Sequence, residues 1–331
     1  MASVSVNELA VGLVAGNRSM LARAITLVES NRPDHEALAQ ELINRLLPKT
    51  GGATRIGITG VPGVGKSAFI EAFGGLLTQA GHKVAVLSID PSSVRSGGSI
   101  LGDKARMMKL SADPNAFIRP SPSGSVLGGI ARKTRETMLL CEAAGYDVVL
   151  IETVGVGQSE MAVASMTDLL LVLMLAGAGD ELQGIKRGLL ERADMIVVTK
   201  ADGANVTAAS IAASQYQFAM RLLHDPAEQP EVVTCSAVEQ TGLDRIWTLI
   251  NERMRAAERS GTLKLKRAEQ ATAWMWTLVE EKIRETLRQT EAIRAIAENA
   301  EQEVRGSTMT PLLGANAIVA ALRWSGVKPP G

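Results

Sequence analysis

Between Arg55 and about Thr248, short runs rich in β-branched residues alternate with stretches of helical periodicity. The runs predict seven strands: Arg55 to Thr59, Lys83 to Ile89, Ala116 to Arg119, Asp147 to Glu152, Leu169 to Leu175, Asp194 to Thr199 and Glu231 to Cys235. Strands separated by helices predict an α/β fold, a mostly parallel, doubly wound sheet covered on both faces. Ligands of such sheets gather at the carboxyl ends of the strands. Upstream, apolar residues recur with a 3.6-residue period over Val6 to Ala15, Ser19 to Ser30 and Pro33 to Leu47, the last with proline in its first turn. Pro48 to Ala53 reads as a linker. Downstream the pattern turns to Ala, Glu, Arg, Leu and Trp at helical spacing, with helices expected over Leu263 to Gln289, Glu291 to Arg305 and Pro311 to Trp324. The expected organisation is thus an N-terminal helical extension (1–50), an α/β domain (51–260) and a C-terminal helical arm (261–331). In that arm Trp274, Trp276, Leu278, Ile283 and Leu287 suit either packing on the chain's own core or burial against a second subunit.

Composition narrows the classes. Of 331 residues, 46% are apolar, enough for a large core, and 35 basic residues balance 35 acidic ones. A neutral balance argues against a nucleic-acid surface or a polybasic membrane anchor. The longest apolar run, Leu169 to Ala178, is too short for a bilayer, and the first residues lack a charged segment leading into an apolar one, so a cytoplasmic location is expected. Cys141 and Cys235, the only cysteines, read as packing residues in a reducing compartment.

The first chemistry lies at Gly60-Val61-Pro62-Gly63-Val64-Gly65-Lys66-Ser67, which is G-x-x-x-x-G-K-S behind a predicted strand and ahead of a helix-compatible stretch from Ala68 to Ala80. Three glycines permit a loop whose N–H groups point at phosphates, and the helix beyond adds the positive end of its dipole. Lys66 would reach the β- and γ-phosphates, and the Ser67 hydroxyl would ligate Mg²⁺. A glycine-rich turn before a helix does not require Lys-Ser after its last glycine, so a nucleoside triphosphate is implied. Further on, Thr199-Lys200-Ala201-Asp202 closes a predicted strand in the T-K-x-D form of a guanine-recognition element. A carboxylate accepts from guanine N1–H and the 2-amino group, neither of which adenine offers, so Asp202 selects guanine while the Lys200 stem lies along the base. Ser236-Ala237, after the last strand, matches the element that supports the guanine oxygen.

Three acids sit at strand or loop ends between these motifs: Asp90 before Pro91, Asp103 in Gly102-Asp103-Lys104, and Glu152 in Glu152-Thr153-Val154-Gly155. A carboxylate closing an apolar strand is where a phosphate-loop enzyme places its magnesium-side acid, here Glu152. Gly155 would offer its N–H to the γ-phosphate. Asp90 suits equally a turn cap before proline. Ser93 to Asp103, Ser121 to Gly129 and Gly177 to Gly188, rich in glycine and serine beside a nucleotide site, read as functional loops.

Asp90-Pro91-Ser92-Ser93, the run Gly97 to Lys104, Phe117-Ile118-Arg119-Pro120, the run Glu152 to Glu160 through Gln158, and the run Gly179 to Lys186 together resemble the ArgK/MeaB family of G-protein metallochaperones associated with methylmalonyl-CoA mutase. The resemblance covers nearly the whole chain. It implies a GTPase that binds an adenosylcobalamin-dependent acyl-CoA mutase, gates cofactor loading and protects or reactivates the mutase. It further implies a homodimer held by the C-terminal helices, with Ser67, Asp90, Asp103 and Glu152 at magnesium positions and Lys66, Glu152, Gln158 and Lys186 as catalytic residues. Lys186 falls in the segment resembling the family's third switch. Ala105, where the family usually has threonine, and Ser123-Gly124-Ser125-Val126, where Ser-Ser-Gly-Thr is common, depart from the pattern. Two other classes are open: a nucleotide-dependent protein kinase, for which no catalytic-base Asp is seen, and a nickel-delivery GTPase, for which His35, His82 and His224 are scattered.

Overall fold

The computed structural model describes residues 5–89, 107–120, 127–153, 159–176, 187–225 and 229–324. Seven strands form one sheet: β1 (Thr54–Gly60), β2 (Val84–Ile89), β3 (Ala116–Arg119), β4 (Val148–Thr153), β5 (Leu169–Met174), β6 (Met195–Val198) and β7 (Glu231–Thr234). Each matches a predicted run, with ends shifted by at most a residue. Every pairing is parallel, in the order β3-β2-β4-β1-β5-β6-β7.

The strands are apolar on both faces because helices cover both. Along β4, Val148 and Leu150 join one core while Val149 and Ile151 join the other, and β5 divides Leu169, Leu171 and Leu173 from Leu170, Val172 and Met174 in the same way. This is the period of two expected of a strand, with both phases buried. The first face is covered by α4 (Lys66–Gln79) and α10 (Leu243–Ser260), through Phe69, Phe73, Leu77, Ile246 and Ile250. Phe69 and Phe73 stack at 5.3 Å, and Trp247 meets Phe73 edge-on at 6.3 Å.

The second face takes α6 (Leu127–Ala143), α7 (Ser159–Ala164), α9 (Val206–Leu223) and the three N-terminal helices α1 (Val6–Val14), α2 (Arg18–Glu29) and α3 (Pro33–Leu46). Local chemistry starts the first two helices: Ser5 and Glu8 form a reciprocal capping box, and Asn17 Oδ1 accepts from the amides of Ser19 and Met20. Leu13, Leu21, Ile25 and Leu42 are fully buried in the core that also holds Val149 and Ile151. At about 1.5–3 kcal/mol per buried side chain, the N-terminal helices are a structural part of this face. A short 3₁₀ turn, Leu47–Lys49, leads into the Pro48 to Ala53 linker, which is anchored by Glu142: Gly51 N–H donates to Glu142 Oε2 at 2.6 Å, and Arg55 Nε, in β1, to Glu142 Oε1 at 2.6 Å. The elements α5 (Met108–Ala112) and α8 (Arg187–Leu190) are short connecting helices.

Two compact units divide the chain, residues 1–264 and 265–331. The second contains α12 (Glu291–Arg305), α13 (Pro311–Trp324) and most of α11 (Thr262–Gln289). Within it α12 packs on α13, burying Ile293 and Ala300, while Met275, Trp276, Val279, Ile283, Leu312 and Leu313 are exposed.

Candidate nucleotide site

The loop after β1 is fixed by glycine. Gly60 has φ +151°, and a Cβ there would lie 2.5 Å from the Leu173 carbonyl oxygen. Gly63 and Gly65 have φ +79° and +98°, conformations that L side chains rarely adopt. Gly65 ends the loop and α4 begins at Lys66, two residues before the predicted start. Lys66 is buried, and its Nζ donates to the carbonyl oxygens of Gly60 at 2.7 Å and Val61 at 3.2 Å. Burial lowers its pKa, while Glu152 and Glu160 pull it back up. The register sets Ile58 beside Glu152, and the Ser67 hydroxyl donates to Glu152 Oε1 at 3.3 Å. These are hard oxygen donors at the start of a helix, a chemistry that fits Mg²⁺.

The guanine-type element is fastened to this loop. Thr199, buried just past β6, donates its hydroxyl to the Val64 carbonyl at 2.7 Å. Lys200 has φ +55°, and its Nζ donates to the Gly63 carbonyl at 2.9 Å. Asp202 Oδ2 accepts from the Ser236 hydroxyl at 2.5 Å, and Ser236 Oγ itself accepts from Glu239 N–H at 3.0 Å. Ser236 is fully buried and bridged to Thr241 by backbone bonds of 3.0 and 3.1 Å. The turn closes through Gly242, φ +77°, where a Cβ would fall 2.3 Å from the Thr234 carbonyl. Ala201 N–H donates to the Cys235 carbonyl at 3.0 Å, which ties the two base-side segments together. Ala237 and Ala68 also line a separate cavity of about 500 Å³ beside α4, shared with Glu71, Lys109 and Leu243, to which Gly60 to Ser67, Glu152, Lys200 and Asp202 contribute nothing.

The family profile described as "Methylmalonyl Co-A mutase-associated GTPase MeaB" matches residues 21–292. The chain belongs to the MeaB family. Among its relatives, GTPase ArgK of Escherichia coli is 48% identical over 301 residues, covering 90% of this chain and 91% of that protein. The mitochondrial methylmalonic aciduria type A homolog of Mus musculus is 44% identical over 330 residues, 96% of this chain and 80% of that one. A solved structure described as a LAO/AO transport system kinase superposes with a TM-score of 0.78 at 40% identity, covering 98% of this chain and 99% of that one. The MeaB fold here is therefore that of a P-loop GTPase family, and membership implies nucleotide binding.

Of the residues expected at the site, this MeaB chain brings together Gly60 through Ala68, Glu152, Thr199, Lys200, Asp202, Ser236 and Ala237 at one edge of the sheet. Asp90, Asp103, Gly155, Gln158 and Lys186 lie outside the described residues, as do Ala105 and residues 123–126. Three details escaped the sequence reading. Lys200 holds the loop by its ammonium as well as offering a stem, and Asn205, three residues past Asp202, donates to the Lys200 carbonyl at 2.6 Å. Buried Glu160, within electrostatic reach of Lys66, belongs to no nucleotide-site motif of its own. Its signal was an acid held at the start of α7. The three histidines have separate partners: Ser30 for His35, Asp147 for His82 and the Leu190 carbonyl for His224. Among the described residues no helix is long and apolar enough to cross a membrane.

Proposed function

We propose that this protein is a GTP-hydrolysing switch that chaperones an adenosylcobalamin-dependent acyl-CoA mutase of the methylmalonyl-CoA mutase type, gating cofactor loading and protecting or reactivating the mutase. The observation that carries the GTP part is the double tie between base element and phosphate loop, Thr199 to Val64 and Lys200 to Gly63. A site built this way reads base and triphosphate as one ligand. The mutase part is supported by the description of the family. Ser67 and Glu152, with Asp90 and Asp103, would hold Mg²⁺, which when bound offsets the charge of the phosphates. Lys66, whose Nζ turns back onto the loop's Gly60 and Val61 carbonyls, would take the β- and γ-phosphate oxygens, and Gln158, Gly155 and Lys186 would complete the switch side. The exposed apolar residues of α11 to α13 support a homodimer formed through the C-terminal arm. A cytoplasmic location completes the reading.

Basal turnover is expected to be slow and to be accelerated by the mutase, by about 10³ to 10⁵ if the effect equals that of well-studied activators. The test is GTP turnover with and without a saturating acyl-CoA mutase, for the parent and Lys186→Ala. Stimulation of the parent, and loss of most of it in the variant at unchanged GTP affinity, supports the reading. No stimulation by any acyl-CoA mutase from the same cell overturns the partner assignment. The solved relative's name prompts one further arm: transfer of labelled phosphate from nucleotide to a protein substrate would favour a kinase.

A further inference from the structure

Lys200 is one of three non-glycine residues among the described ones with positive φ, and the only one of them that touches the phosphate loop. The left-handed conformation crowds Cβ against the following carbonyl, so a lysine stays there only if its neighbours hold it. The residue that does so is close at hand. Asn205 closes a 3₁₀ turn, Gly203–Asn205, and stands at the N-cap of α9 with a helical backbone (φ −89°, ψ −7°) instead of the extended one from which asparagine caps the first amides by a side-chain bond. It makes no such bond. Its Nδ2 donates instead to the Lys200 carbonyl at 2.6 Å, and since a carbonyl only accepts, the nitrogen must be the atom that faces it. The backbone N–H of Asn205 also donates to the Asp202 carbonyl at 2.9 Å. Asn205 thus closes a ring around Lys200-Ala201-Asp202-Gly203, in which Gly203 takes φ +50° at no steric cost.

We propose that Asn205 is a positioning residue for guanine selection: its side-chain amide holds Lys200 left-handed, and that backbone turn sends Lys200 to the Gly63 carbonyl and presents Asp202 on Ser236. The inference rests on the reading of Asp202 as the guanine selector. Asn205 touches no loop atom itself, so its effect travels through the turn and falls on the base more than on the phosphates.

The experiment measures dissociation constants for GTP and ATP with the full chain, as parent, Asn205→Ala, Lys200→Gly and the double variant. Asn205→Ala is expected to weaken GTP about tenfold, the scale of one lost hydrogen bond, and ATP by less than about twofold. Glycine needs no partner to stay left-handed, so adding Asn205→Ala to Lys200→Gly should weaken GTP by less than about twofold. An unchanged GTP/ATP ratio in Asn205→Ala overturns the proposal, and so does an equal loss in both backgrounds, the signature of independent effects. If the parent binds ATP as tightly as GTP, the guanine reading itself has failed, and the inference with it.

Discussion

Thr199→Val isolates the tie between base element and phosphate loop. Valine keeps the branched shape and deletes one hydroxyl, whose proton goes to the Val64 carbonyl at 2.7 Å, with Met174 O at 3.2 Å as the longer alternative. The Met174 carbonyl still receives the Thr199 backbone N–H at 2.9 Å, so the loss falls on Val64. Val64 is fully buried, which keeps water from replacing the hydroxyl readily. An orphaned acceptor of this kind costs about 1–3 kcal/mol. If the loop relaxes in the free protein, nucleotide must re-form it, and the same energy appears as about a 5- to 150-fold loss of affinity. Because the loop serves any triphosphate, GTP and ATP should lose equally. If the loop instead stays in place, the cost appears as a fall in melting temperature, about 2–4 °C per kcal/mol for a chain of 150–250 residues and less for a longer one. Calorimetric titration with both nucleotides, paired with thermal melts, distinguishes the two. A variant with unchanged affinity and unchanged melting would refute the claim that this hydroxyl fastens the loop.

Lys66→Ala and Ser67→Ala should each lose tight Mg²⁺-nucleotide binding; unchanged GTP affinity and turnover in both would leave the loop a structural turn only. Asp202→Asn should shift preference from GTP toward XTP, because an amide donates to the xanthine 2-oxygen, and competition binding in which GTP still wins outright would contradict it. Glu142→Gln removes the charge facing Arg55 in a pair whose carboxylate side chain is 1% exposed, a break worth about 3–5 kcal/mol, read as a lower denaturant midpoint. Burial pushes the Cys235 thiol up to about 12 and raises Cys141 as well, so neither should react with a thiol reagent at pH 8 until denatured. Since the folded protein holds those protons more tightly than the unfolded chain, stability from the thiols is fully present below the ordinary thiol range and falls as pH climbs toward 12. Rapid labelling of two thiols in the native state would show that they are not buried.

Strand positions were legible because a run buried on both faces has a composition no loop shares, and residues such as Val149 and Leu150 are apolar for two different cores. The phosphate loop was legible because its glycines are needed one by one: Gly60 by the Leu173 carbonyl, Gly63 and Gly65 by their positive φ. What escaped was chemistry that depends on backbone conformation without a residue type to mark it. Nothing in Thr-Lys-Ala-Asp announces that the lysine is left-handed, and an asparagine before a helix looks like a cap until its amide is seen elsewhere. The helical arm was legible only in part. Its spacing told where the helices run, yet Trp276 and Ile283 are exposed, and periodicity does not say what covers an apolar face.

The placement of the site follows from the order of the strands. From β1 the chain moves outward through β2 and β3, returns to β4 beside β1, then crosses to β5 on the other side. That reversal leaves β1 flanked by the two strands where the direction of winding changes, the crevice in which doubly wound sheets take ligands. It is why Ser67 meets Glu152 from 85 residues away on one side, and Val64 meets Thr199 from 135 residues away on the other. Strand β1 is closely hemmed: a Cβ on Gly57 would lie 2.5 Å from Val163 Cγ1, and one on Gly60 equally close to Leu173 O. Neither position has room for a side chain as the strand stands, so glycine is required where the loop leaves it. The segment carrying Asp202, fastened to the loop through Thr199 and Lys200, takes its position from that strand, so the proposed guanine discrimination depends on packing two strands away from Asp202.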